Sequence, residues 1–368
     1  MRLEGFGVHR VRIPLKSKFQ HASQAREQAD FVVFELRDEA GNVGFGESQP
    51  RPYVSGETVE GVALVDGPLW LEGWMGRELS SFSEVRAFLL AELDRAGRKL
   101  AMFCGLELGL LDLAGRRFGV PLGAVLAEAL GPPLPGGVVI GFEIETAALP
   151  KHCAMLRLAG KKHLKVKVGR PDDLERLTAI AGVLKGLPLI LDANEAWDVD
   201  AAIAQIQSFS GVPIACVEQP IDKADLPGMR RIREATGVKL MADESLITLA
   251  DAETLIASEA ADVFHIRLGK LGGLLGAERV VARAKRAGIG LHLGTMVGES
   301  GLLSRASEIF GRAVPGFACL DGKAQNTLLL SEDLLADPSA AASAPADAVG
   351  LGVTVDPEKL ARLGARVR

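Results

Sequence analysis

The sequence predicts an α/β protein, a (β/α)8-type barrel of the TIM kind joined to an α+β capping domain. The first observation is a set of short apolar runs that each end in charged residues: HLKVKVG, LPLILDAN, PIACVEQP and VKLMADES. The second is their beat. Lys167, Asp192, Glu218, Asp243, Arg267 and His292 follow one another at spacings of 25, 26, 25, 24 and 25 residues. A strand, a helix and two loops need about 25 residues, so the repeat is a βα unit. The third is the helical periodicity between runs, as in Leu174, Leu177, Ile180, Ala181 and Leu184. Continuous apolar strands suit a parallel sheet buried on both faces. Repeated this often, the unit closes into a barrel whose chemistry sits at the C-terminal strand ends, where the charged residues lie.

The elements follow in chain order. VHRVRIPL and FVVFELRDEAGNVGFGES read as antiparallel strands, the second run turning at Gly41-Asn42. Between them a polar loop, FQHASQAREQAD, carries His21, Gln24 and Arg26, and a second loop, SQPRPYVSGET, carries Arg51 and Tyr53. Residues 82–118 read as helices, with Val85, Phe88, Leu89 and Leu93 on one face, followed by CGLELGLLDLAG. GPPLPGG at 131–137 is a breaker cluster. VVIGFEIE then starts the barrel, which makes the lysine strand the second. Asp192, Glu218 and Asp243 end strands three, four and five, Arg267 ends the sixth, His292 to Thr295 the seventh, and FACLDG, with Cys319 and Asp321, the eighth. Residues 336–348 are low in complexity and read as a loose surface loop. GLGVTVDPEKL reads as a strand and short helix returning to the first domain. The expected division is a cap of 1–125 completed by 326–368, and a barrel of 126–325.

Composition limits the rest. A chain of 368 residues with 48% hydrophobic content can fill a large core. A net charge of −5 without a basic block argues against nucleic acid. Cys104, Cys153, Cys216 and Cys319 are scattered and suggest neither a zinc site nor a disulfide framework, which fits a reducing cytoplasm. The N-terminus lacks the apolar core of a signal peptide, and no run reaches the roughly 18 apolar residues of a membrane helix.

Neighbouring strands lie about 4.8 Å apart, so carboxylates ending three consecutive strands converge. An oxygen trio suits a hard cation, and Mg²⁺ on Asp192, Glu218 and Asp243 is the expectation. An acid at a strand end can equally cap the next helix; three in phase are harder to explain that way. Lys165 and Lys167, two apart on one strand, point to the same side. They could merely balance the carboxylates. Alternatively, neighbouring positive charge lowers the pKa of Lys167 and makes it a neutral base. His265 and His292 read first as packed core histidines and second as substrate contacts, and Trp197 reads as packing.

Lys165-Val166-Lys167, Asp192-Ala193-Asn194, Glu218-Gln219-Pro220, Ala242-Asp243-Glu244-Ser245 and the stretch from Arg267 through Lys270 to Gly272-Gly273 together resemble the enolase superfamily. Within it they are most similar to the muconate-lactonising subgroup, the mandelate racemase/muconate lactonizing enzyme-like proteins. The resemblance implies Mg²⁺ on the three carboxylates, Lys167 as proton-abstracting base, and Lys165 beside it. It further implies a small carboxylate substrate enclosed by the loops holding His21 to Arg26 and Arg51 to Tyr53. His292, Thr295 and Asp321 are the further substrate-binding candidates. The sequence departs from the subgroup in three places. Its sixth strand ends in Arg267 where a lysine is usual. Its eighth reads Cys319-Leu320-Asp321 where dipeptide-processing members tend to carry an aspartate pair. Its seventh places an extra residue before Glu299.

The leading expectation is a Mg²⁺-dependent lyase or isomerase that removes the proton next to a carboxylate, by one-base dehydration or cycloisomerisation. A racemase or epimerase of the same superfamily, a Schiff-base aldolase using Lys167, and a non-catalytic binding descendant are the alternatives. A cytoplasmic homo-oligomer without membrane partners is also expected.

Overall fold

The computed structural model describes residues 1–20 and 25–368, so His21 and Gln24 lie outside the described residues. Strands β1 (Leu3–Gln20), β2 (Ala25–Asp38) and β3 (Val43–Ser48) form an antiparallel sheet. Eight further strands close a parallel barrel: β4 (Gly136–Ile140), β5 (Leu164–Lys167), β6 (Leu189–Asp192), β7 (Ile214–Glu218), β8 (Leu240–Ala242), β9 (Val263–Ile266), β10 (Gly290–Leu293) and β11 (Leu320–Asp321). The short strand β12 (Gly364–Arg366) pairs with β1, so the chain end joins the first sheet in the order β12-β1-β2-β3. No helix among the described residues is long and apolar enough to cross a membrane.

Three local expectations change. The polar loop between β1 and β2 is shorter than expected, because β1 runs to Gln20 and β2 starts at Ala25. The residues on either side of the tip, Lys16 to Gln20 and Ala25 to Gln28, are polar apart from Phe19 and Ala25, so they lack the apolar alternation that marks a strand. In GLGVTVD only isolated bridges form, Gly350 with Pro121 and Val355 with Leu335, and the strand that reaches the first sheet is Gly364–Arg366. Leu351, Val353 and Val355 alternate because they are buried, without pairing as a ladder. The segment 336–348 is no loose loop. It holds the helix Ala340–Ser343, and Ala341 and Ala344 are buried.

The helix Leu100–Phe118 lies directly on β3. A Cβ on Gly44 would stand 2.4 Å from the Gly109 carbonyl, and one on Gly46 would stand 2.0 Å from that of Gly105. Paired glycines in VGFGES and CGLELGLL therefore let helix and strand backbones touch. The same helix ties the cap to the barrel. Buried Glu107 accepts hydrogen bonds from the amides of Leu274 (2.6 Å) and Leu275 (2.9 Å), at the start of the barrel helix Gly273–Arg286. Glu47, on β3, accepts from the amide and hydroxyl of Ser300 and from the amide of Leu303, at the start of the helix Gly301–Ala313. Each cap glutamate thus satisfies orphan amide donors of a barrel helix. Those helices follow strands six and seven, so the cap is registered to the barrel mouth.

Candidate active site

Lys165, Lys167, Asp192 and Glu218 are the last inward-facing residues of β5, β6 and β7, in register as Lys167↔Asp192↔Glu218. Asp243 directly follows β8, and Arg267 directly follows β9. Left-handed backbone at Asn194, Glu195 and Gln219, with φ of 45°, 62° and 36°, turns the chain sharply at the ends of β6 and β7. Gln219 then braces the next strand end. Its Oε1 accepts from the amides of Asp243 (3.1 Å) and Ser245 (3.2 Å).

The charged groups interlock. Lys167 Nζ lies 2.7 Å from Asp192 Oδ2 and 2.5 Å from Asn194 Oδ1. Asn194 in turn donates to Glu244 at 3.1 Å. Lys165 Nζ bridges Glu218 (2.6 Å) and Asp321 (3.1 Å). Burial pulls the Lys165 ammonium toward neutrality, but the Glu218 and Asp321 carboxylates outweigh it and hold its pKa above the ordinary lysine value. The Arg267 guanidinium meets Asp243 and lies 3.7 Å from Glu218. Lys270 Nζ reaches the Asp243 carboxylate at 2.7 Å and its carbonyl at 2.5 Å. Burial lowers the pKa of Lys270, and the Arg267 charge lowers it further.

A second layer sits deeper in the barrel, on β7, β9, β10 and β11. His265 Nδ1 lies 2.7 Å from Glu218 Oε1, and His292 Nε2 lies 2.7 Å from Asp321 Oδ2. The two imidazoles meet edge to face with centroids 5.1 Å apart. Burial holds the His265 pKa down to about 4, so this ring is neutral near pH 7. Thr295 donates to the Asp321 carbonyl at 3.0 Å.

Above the carboxylates, Arg26, Arg51, Tyr53, Lys167, Glu244 and Arg267 line one cavity between cap and barrel, with Asn194, Glu195, Met296 and Val297. Arg26 donates to the Tyr53 hydroxyl at 2.9 Å and lies over its ring. Arg51 is committed within the wall: it donates to the carbonyls of Asp30 (2.8 Å) and Pro50 (2.9 Å) and to Gln49. Lys223, on the loop after β7, reaches the Tyr53 carbonyl at 2.6 Å and fastens that cap loop to the barrel. Lys165, His292, Thr295 and Asp321 do not line this cavity, since their side chains are engaged below it. Trp197 packs beside Phe209. Glu299 is fully buried against the Met296 amide, and burial holds its carboxyl well above the ordinary range.

Sequence reasoning passed over Asn194, Glu244 and the His265–Glu218 contact. Asn194 and Glu244 carried a signal, being adjacent to expected metal ligands. The imidazole contact had none, because it depends on which strand faces which across the barrel.

The residues fit a dication in part: Glu218 and Asp243 converge, and the third group beside them is His265 rather than Asp192. Ligand atoms of Glu218, Asp243 and His265 lie within 4.8 Å of one another. Glu218 Oε2 and Asp243 Oδ2 are buried without a well-directed hydrogen bond, although Lys165 and Arg267 stand close to them. Buried anionic oxygens held only by such contacts are what a cation would satisfy. Asp192 faces Lys167 on the adjoining strand.

Residues 148–359 match the family described as enolase C-terminal domain-like. The chain is similar to an aromatic dipeptide epimerase of Herpetosiphon aurantiacus, with 32% identity over 329 residues, 87% of this chain and 89% of that protein. It is also similar to the solved structure of a muconate lactonizing enzyme from Pseudomonas fluorescens complexed with muconolactone. There the TM-score is 0.86 and the identity 27%, over 99% of each chain. A dipeptide epimerase from Enterococcus faecalis, complexed with Mg and L-Leu-L-Tyr, gives a TM-score of 0.81 and 25% identity, over 96% of this chain and 100% of that one.

Proposed function

The chain belongs to the enolase superfamily, and from that membership we propose that it is a lyase or isomerase that abstracts the proton next to a substrate carboxylate with a single base, Lys167. The reaction class is dehydration or cycloisomerisation. The observation that carries the reading is Arg267. β5 and β9 stand four strands apart in the eight-stranded ring, so Lys167 and Arg267 face the mouth from opposite sides. A two-base racemase needs a group on each side that gives and takes protons. Arginine keeps a pKa above about 12 and does not serve as that second base.

Asp192, Glu218 and Asp243 would hold Mg²⁺, which supplies fixed positive charge beside the substrate carboxylate and so favours loss of the neighbouring proton. Lys167 receives that proton at Nζ. Asn194, bonded to both Lys167 and Glu244, orients the amine. Arg267 remains cationic and faces the negative charge that develops on the substrate. Lys165 remains charged between Glu218 and Asp321 and leaves proton transfer to Lys167. Arg26 and Tyr53 form the cap side of the cavity and select the distal part of the substrate.

A second reading, epimerisation of a dipeptide, draws on the similarity to dipeptide epimerases. Against it, Asp321 is already paired with the Lys165 ammonium and hydrogen-bonded to His292, which leaves it less available to a substrate ammonium group. The test is turnover of small carboxylates in D₂O with added Mg²⁺. Deuterium entering on one face only, and lost with Lys167→Ala, supports one-base chemistry. Exchange of both enantiomers of an α-substituted acid, surviving Lys167→Ala for one of them, would establish a second base and the epimerase reading.

A further inference from the structure

The end of the barrel opposite the carboxylates carries a groove of about 530 Å³. It lies between the C-terminal ends of the helices Leu149–Leu158 and Asp173–Val183, where the chain turns into β5 and β6. Arg157, Lys161, Lys162 and Lys185 line it, with Leu184 and Leu187 at its apolar floor. No acidic side chain and no aromatic ring is part of the lining.

Several cations on the other barrel helices are paired with carboxylates. Arg231 pairs with Asp200 at 2.8 Å, Arg283 with Glu253 at 2.7 Å, and Arg230 with Glu234 at 2.8 Å. Among the described residues none of the groove's four has a carboxylate partner, and the one directed contact is Arg157 to the Val183 carbonyl at 3.1 Å. Cations near helix C-termini complement the helix dipole, which accounts for Arg157 in the last turn of its helix. It does not account for Lys161, Lys162 and Lys185 converging from two separate turns on one concavity. In a chain of net charge −5, four unpaired positive charges on one face make a local potential that attracts anions.

We propose that this groove is a binding site for a small multivalent anion bearing phosphate groups. Its volume lies in the usual range for small-ligand sites. Ammonium and guanidinium donors suit phosphate oxygens. A lining without aromatic rings offers no stacking surface for a nucleobase, so the ligand is recognised by its phosphates. Binding here lies beyond the proposed catalysis and does not rest on it, because the groove precedes the strands whose far ends carry Lys167 and Asp192.

The experiment is calorimetric titration of the full chain with inorganic tripolyphosphate, without added Mg²⁺, at moderate ionic strength. In parallel the chain is co-sedimented with phosphatidylcholine vesicles with and without phosphatidic acid. Saturable binding of one tripolyphosphate per chain is expected. Lys161→Gln and Lys185→Gln should each weaken it, and the double variant should weaken it by about tenfold or more. All four side chains are exposed, so circular dichroism and thermal melting should show the variants folded. Sedimentation with phosphatidic acid vesicles that is lost in the same variants would identify a lipid headgroup as the source of the phosphate. Absence of binding to either probe, or binding that survives the double variant, overturns the proposal.

Discussion

A Cβ placed on Gly294 would stand 2.1 Å from Nε2 of His265, so the imidazole occupies the space that any larger residue would need. Gly294 follows β10, and His265 on β9 touches Glu218 with its other ring nitrogen. Gly294→Ala should therefore push His265 and disturb Glu218. We expect a loss of about 1–3 kcal/mol in denaturant unfolding, typical of overpacking, together with weaker Mg²⁺ binding. Unchanged stability would mean that the ring moves aside at no cost.

Asp192→Asn should weaken Mg²⁺ binding by about tenfold or more, since a neutral amide replaces an anionic ligand to a hard cation. It also removes the carboxylate that lies 2.7 Å from Lys167. Calorimetry in wild type and variant measures the difference. Equal affinity would remove Asp192 from the ligand set.

Glu107→Ala should separate cap from barrel before either unfolds. Two buried amides, those of Leu274 and Leu275, would lose their acceptor. Each unsatisfied buried donor costs about 1–3 kcal/mol. Increased hydrogen exchange confined to the first turn of Gly273–Arg286 and to Leu100–Phe118 would be the signature. A uniform change across the chain would contradict it.

Glu35→Gln should flatten the acid limb of the stability profile. The hydrogen bond from His9, at 2.9 Å, lowers the Glu35 pKa from the ordinary 4.5 to about 2. A carboxylate favoured by folding contributes stability that is present above the unfolded pKa and lost as pH falls from about 4.5 toward 2. At most about 3 kcal/mol is involved. Thermal melts between pH 5 and 2 should show a shallower fall in the variant. Parallel profiles would show that other groups carry acid unfolding.

The barrel was legible because most of its strands are short apolar runs that end in or are followed by a charge, a pattern that survives without knowledge of neighbours. The paired glycines of VGFGES and CGLELGLL were visible, but their contact was not, since it joins segments more than 50 residues apart. The outer part of the β1–β2 hairpin read as loop because its sequence from Lys16 to Gln28 is mostly polar and has no apolar period. Residues 336–348 read as loose because alanine and serine carry little pattern, although a small side chain is what close packing on the helix Gly301–Ala313 requires.

By itself the sequence determined the βα beat, the strand ends that carry Lys167, Asp192, Glu218, Asp243 and Arg267, and the side of the barrel on which they converge. These are local properties: strand periodicity dictates which side chains point inward, whatever surrounds them. Only the tertiary structure decided which charge meets which. Lys165 is held by Asp321 across two strands, Lys167 by Asp192 from the next strand, and His265 by Glu218 across two strands. Electrostatic pairing depends on distances of a few ångströms between strands that are distant in the chain, and closure of the barrel sets those distances.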